Sequence, residues 1–429
     1  MMPSPVRPVK LRRALGAAFA ACLVAVLAAC PGEINGRVDR IGGPVSGGGS
    51  GGGTGGGGPI SGGGGGTDSL TSSHDPFVSL AAGDGHTCGL TARGLAYCWG
   101  FNIDGQLGTG DFTNRRVPTQ VLSATVFREI SASGHVTCAV SETGAAYCWG
   151  HGYWGALGVG DTINHNQPTR VIGSQTWLTV SAGEDHSCGV DGNATAWCWG
   201  NNWPSGQLGD STTTRSLVPV QVRTPFSFAE VHPGSNYTCG RRTDGVVMCW
   251  GGGTLGGDIP PQRTPQQAIA TNETFVQLDV STYSACALES ATPRVECWGQ
   301  RGIVGFESAF EALTPARITL NEDISDLSIQ QYSGCVLNTL GRAFCWGTNL
   351  DGQLAGATTA SSSNIPLAIP TNLRFIEIAV GAAHVCAIAN GETGTGGTYC
   401  WGRRGVGATG DGEGTTSTPD VFYAPVRVK

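Results

Sequence analysis

Fourteen cysteines of this chain fall into seven pairs: Cys88 and Cys98, Cys138 and Cys148, Cys188 and Cys198, Cys239 and Cys249, Cys286 and Cys297, Cys335 and Cys345, Cys386 and Cys400. Thiols at regular spacing either hold zinc or form disulfides. A zinc site wants four converging ligands, commonly with two to four residues between the members of a pair. Here nine or more residues separate them, and no histidine is offered regularly. An even count at repeated spacing reads as disulfides, one per repeat, and so as an oxidising compartment. No metal is assigned.

The other chemistry-bearing residues repeat as well. His86, His186 and His384 stand two residues before a cysteine and His135 three before, but other copies put Tyr237, Ser284 and Ser333 there. A base or metal ligand would not tolerate that exchange, so these are framework positions. Gly-Asp steps recur at Asp111, Asp161, Asp210, Asp258 and Asp411, where carboxylates at turns accept backbone N–H bonds. A glycosidase needs two carboxylates set across one bond, and no such pair stands out. The glycine-rich run at 407–416 lacks the lysine and following helix of a phosphate loop. No catalytic residue and no cofactor are assigned.

The elements that must position these residues follow from the triplet Cys-Trp-Gly, which opens at Cys98 and recurs seven times at steps of 50, 50, 51, 48, 48 and 55 residues. A fixed period of this kind marks a repeat architecture. Each period reads as four short strands. One begins at Phe77, Phe127, Trp177, Phe228, Phe275, Ile324 or Phe375, and its apolar and polar residues alternate. Two form a hairpin that places the paired cysteines opposite each other, at a separation near disulfide reach. The fourth follows a proline, as in "PTQV" from Pro118 and "PVRV" from Pro425. The short link from a proline strand to the next phenylalanine strand predicts that those two share a sheet. The long stretch after Trp99 is then the crossover between sheets. The expected fold is all-β: a seven-bladed β-propeller of four-stranded blades, one disulfide per blade, its ring closed by the C-terminal strand completing the first blade.

Residues 83–110, "GDGHTCGLTARGLAYCWGFNIDGQLGTG", resemble the repeat of the regulator-of-chromosome-condensation family almost throughout. The resemblance covers about residues 77–429 and implies a seven-bladed propeller. The paired cysteines are similar to the exported bacterial branch of that family. The resemblance also implies guanine-nucleotide exchange, but that activity uses a wedge inserted in one blade, and these repeats carry no comparable insertion. An exported relative that covers β-lactamases with one propeller face makes protein binding the better analogy.

The ends complete the reading. Residues 1–29 carry Arg7, Lys10, Arg12 and Arg13, then an apolar run ending "LAAC" at Cys30. This is the layout of a lipoprotein signal peptide, with Cys30 as the lipidation site. Residues 30–76 are a glycine-rich tether with little apolar surface to bury, and 77–429 form the propeller. Four of the 25 basic residues lie in the leader, leaving 21 against 32 acids, a net charge of −11. Nucleic acid is therefore not an expected partner. The expectation is a monomeric module of the bacterial cell envelope, lipid-anchored, binding an envelope or extracellular protein or glycan. An envelope hydrolase or lyase with a site on the axis stays open as an alternative. The segment after Cys-Trp-Gly varies most between copies, so Phe101, His151, Tyr153, Trp154, Asn202 and Trp203 are the expected binding residues.

Overall fold

The computed structural model describes residues 76–252, 262–268, 273–292, 294–299, 312–318, 320–391, 396–413 and 420–429. The expected signal peptide, Cys30 and all of the tether but Pro76 lie outside the described residues.

The propeller is built of seven four-stranded antiparallel sheets, each made of four consecutive strands in chain order. Blade 1 runs Phe77–Ala82, His86–Thr91, Ala96–Gly100 and Arg115–Gln120. Blade 7 runs Phe375–Val380, His384–Ala389, Gly397–Arg403 and Val421–Arg427. The first strands of neighbouring blades pack on one another, and Gln330 of blade 6 donates from Nε2 to Ser133 Oγ of blade 2 at 3.4 Å. First strands therefore line the axis, and the half-exposed fourth strands form the rim. Every residue of His86–Thr91 is buried, because the middle strands are covered on both faces by adjacent blades. That is why these strands read as near-continuous small and apolar runs rather than as alternation.

The core lies between blades. Cys88, Leu90 and Cys98 of blade 1 pack with Phe127, Ile130, Ala139 and Trp149 of blade 2. Cys88 opposes Cys98 in the hairpin register, with their Cα atoms 4.1 Å apart. All seven expected pairs are disulfide-bonded in this way, one to a blade. The tryptophan of each Cys-Trp-Gly is fully buried. Trp149, Trp199, Trp401 and Trp99 donate their indole N–H to Gln106, Ala156, Gln353 and Ala408 carbonyls of the preceding blade, at 2.9–3.0 Å. The glycine sits at positive φ in all seven copies, 103° at Gly100, where a Cβ would lie 2.4 Å from the Gly85 carbonyl. The triplet is thus a staple, an inter-blade wedge and a bulge that only glycine accommodates.

Two expectations are corrected. The proline strand pairs with the third strand of its own blade, Cys98 opposite Thr119, and not with the next phenylalanine strand. The long 101–114 segment is a compact loop with adjacent ends, folded around Asn102. The Asn102 amide donates to the Asp111 and Thr113 carbonyls, and its oxygen accepts from the Leu107 N–H. The short link is what carries the chain from the rim to the axis of the next blade. Blade 1 therefore owns its fourth strand, and the C-terminal strand completes blade 7, with Cys400 opposite Val426. The ring closes by packing and hydrogen bonds across the seam, with no strand exchanged. Leu80 N–H donates to Glu377 Oε1 at 2.7 Å, and Phe77, Leu80 and Trp99 share a core with Cys386, Ile388 and Cys400.

Candidate functional site

Antiparallel pairing sends two connections of every blade to one end of the propeller: the tight turn between the first two strands, and the longer loop after Cys-Trp-Gly. The tight turns lie nearest the axis. They read Asp84-Gly85, Gly134-His135, Glu184-Asp185, Ser235-Asn236, Thr282-Tyr283, Gln331-Tyr332 and Ala382-Ala383. Their side chains are not repeated, and those of five blades converge.

The half-buried Asp84 carboxyl is raised above its ordinary range by burial, opposed by the nearby His135 and a hydrogen bond with the Gln331 side chain. Glu184 is raised by burial and by the like charges of Asp84 and Asp185. Burial also raises Asp185, against His151 and a hydrogen bond from Asn201. The phenol of Tyr283 is raised by burial, by Tyr332 and by the charges of Glu184 and Asp84. The rings of Tyr283 and Tyr332 stack at 5.8 Å and 24°, and both are exposed. This axial mouth joins the carboxyls of Asp84, Glu184 and Asp185, a histidine and a pair of solvent-exposed aromatic rings. Such a surface attracts cations.

The sequence-predicted residues lie around this mouth and divide in role. His151 stacks on Tyr153 at 6.1 Å, and Tyr153 meets Trp154 edge-on at 4.9 Å. Tyr153 is 56% exposed and Trp203 69%. Trp154 holds a left-handed backbone, φ 63°, which is rare for a bulky side chain. Phe101 sits instead against His135, 5.3 Å between rings, while His135 Nδ1 lies 2.7 Å from Asp104 Oδ2. Asn202 is a correction. It is fully buried, its amide donating to Asp210 Oδ1, Thr212 Oγ1 and the Thr214 carbonyl, while its oxygen accepts from Leu208 N–H. It is the counterpart of Asn102, a loop framework residue with no group left for a ligand.

The histidines before the cysteines do hold the framework. His86, His186 and His384 place Nε2 at 2.7–2.9 Å from Thr137, Thr238 and Thr87 of the next blade. Each of those hydroxyls donates onward to a backbone carbonyl, of Gln106, Gln207 or Ala408. The hydroxyl must therefore accept from the histidine, which fixes the proton on Nε2. Burial lowers these imidazoles to about 3, about 3 and about 4. Histidine stands only in blades whose successor offers threonine at this place; the other successors offer Ser187, Ala285, Gly334 and Val385. At the opposite end of blade 5, Glu273, Glu289 and Glu296 surround Arg317 at 3.0–3.6 Å, and its guanidinium supplies their counter-charge.

Sequence reasoning missed Asp84, His135, Glu184, Tyr283 and Tyr332 as a group. The available signal was the two positions just before the second strand of each blade, which differ between copies as much as those after Cys-Trp-Gly.

Comparison with known proteins matches one family. Models described as the regulator of chromosome condensation (RCC1) repeat match residues 93–140, 143–190 and 341–388, and a second form matches 77–106 and 178–207. The chain is 26% identical over 364 residues to the ultraviolet-B receptor UVR8 of Arabidopsis thaliana, covering 81% of each. Human WBSCR16 superposes with a TM-score of 0.66 at 19% identity, over 74% of this chain and 88% of that one. Yeast RCC1 (Prp20), solved bound to Kap60, gives 0.62 at 16% identity, over 71% and 78%. At these identities the solved structures speak to the fold.

Proposed function

We propose, on the premise that this chain carries RCC1 repeats folded as an RCC1-like propeller, that it is a binding module which docks a protein partner on its loop end and is held at a cell envelope by lipid on Cys30. One observation carries the docking: Tyr153, Trp203, Tyr283 and Tyr332, all exposed, stand at the same end of the propeller on loops of four different blades. Tyr and Trp are enriched among residues that dominate binding energy. Ala382-Ala383 and Ser235-Asn236 occupy the tight turn in other blades, so the turn itself does not require tyrosine. Protein partners are also known for a structural relative, yeast RCC1 (Prp20): Kap60, Gsp1p and histones.

Export is supported by seven disulfides in one domain, bonds that persist in oxidising compartments. The anchor rests on "LAAC" behind a basic, apolar leader.

The test compares wild type with Trp154→Ala/Trp203→Ala in capture from an envelope extract, with melting curves alongside. The reading expects a captured protein to be lost in the variant at an unchanged melting temperature. Equal capture by both refutes the docking end. Cys30→Ser is expected to release the protein from membranes, and retention there refutes the anchor.

A further inference from the structure

We propose that the axial mouth formed by Asp84, Glu184, Tyr283 and Tyr332 receives a lysine or arginine side chain of the docked partner. The inference rests on the binding-module reading and gives that partner a chemistry.

The four residues come from blades 1, 3, 5 and 6, so the ring itself brings them together. The rings of Tyr283 and Tyr332 stack on each other, and the two residues remain 36% and 42% exposed, so aromatic faces at the stack's outside are offered to solvent. A guanidinium or ammonium is drawn to such faces, most strongly when the site excludes water on binding. Asp84 and Glu184 add negative charge on the same spot, where Glu184 feels the like charges of Asp84 and Asp185. A cation entering the mouth relieves that repulsion, whereas an anion meets it in full. His135 faces both Asp84 and Glu184 but already engages Asp104. The fold does not demand any of this. Blade 7 builds the same turn with Ala382-Ala383 and blade 4 with Ser235-Asn236. The exposed Tyr153 and Trp203 farther out on the same end provide contact area around an inserted side chain, so the partner is a protein with a basic residue set in an apolar surround.

The experiment uses the full chain and three fluorescein-labelled probes, the hexapeptides (Gly-Arg)3, (Gly-Ser)3 and (Gly-Glu)3, read by fluorescence anisotropy at low and high salt. The arginine probe is expected to bind wild type above the other two and to weaken as salt screens the charges. Asp84→Asn/Glu184→Gln is expected to lower its affinity by about tenfold or more, the scale of two lost charge contacts to one cation. Tyr283→Ala/Tyr332→Ala is expected to lower it as well. The melting temperature of the carboxamide variant is expected to hold or rise, because a like-charge repulsion is removed. Equal binding of the arginine and serine probes by wild type, or full arginine binding by the carboxamide variant, overturns the inference. If that variant captures the envelope partner as wild type does while Trp154→Ala/Trp203→Ala does not, the docking surface stands and the cationic contact alone is refuted.

Discussion

Acidification should loosen this propeller at three particular joints. In an unfolded chain histidine titrates near 6.5. Folded, His86 and His186 are lowered to about 3 and His384 to about 4, first by burial and, at His86, also by the neighbouring His135 and His384. The stabilisation of the neutral form is therefore complete above pH 6.5. It is lost as pH falls below that value, because the unfolded state takes up protons that the folded state refuses. Each histidine loses about 1.4 kcal/mol per pH unit in this window, so pH 5 costs about 2 kcal/mol per residue and about 6 kcal/mol for the three. The loss falls on the joints between blades 1 and 2, 3 and 4, and 7 and 1, where the imidazoles donate to Thr137, Thr238 and Thr87. Urea unfolding at pH 7 and pH 5 measures it, comparing wild type with His86→Gln/His186→Gln/His384→Gln. Glutamine keeps an N–H donor and cannot titrate. The variant should start less stable at pH 7 and lose far less on acidification. The raised carboxyls of Asp84, Glu184 and Asp185 work in the opposite direction and are common to both proteins, so they cancel. An undiminished pH 7 to pH 5 loss in the triple variant would refute the assignment of acid sensitivity to these joints.

Other expectations follow from single contacts. Gly108→Ala should destabilise by about 2 kcal/mol or more, because φ is 68° and the new Cβ would lie 2.7 Å from Trp149 Nε1. Ala355→Gly, at a left-handed residue with φ 47° in the matching place of blade 6, should be neutral or stabilising by up to about 1 kcal/mol. Urea midpoints check both. Asn202→Ala should cost about 2 kcal/mol or more by stranding buried loop groups, whereas Trp203→Ala should move stability by no more than about 0.5 kcal/mol; equal effects would contradict the framework role of Asn202. Replacing Cys188 and Cys198 together by alanine should cost about 2–3 kcal/mol, the loop-closure scale for a short disulfide loop, as read from thermal unfolding.

Seven repeats, four strands in each and the cysteine hairpins were all legible in the sequence. They are local: the paired cysteines are 10 residues apart in most copies, and one turn closes each hairpin. Recurrence at a fixed step supplies the rest, since a residue needed in every blade must be framework. The partner of the proline strand was not legible. Loop length alone favoured the wrong neighbour, and only the folding of 101–114 around Asn102 brings Arg115–Gln120 back beside Ala96–Gly100. That one pairing also moved the closure of the ring from an exchanged strand to a packed seam. Asn202 and Trp203 are adjacent in sequence and opposite in burial, a distinction that no spacing encodes. Asp84, Glu184, Tyr283 and Tyr332 are residues of three kinds spread over blades 1, 3, 5 and 6, each at a position that varies from copy to copy. Only the circular arrangement of the blades, which sets equivalent turns around one axis, makes them neighbours.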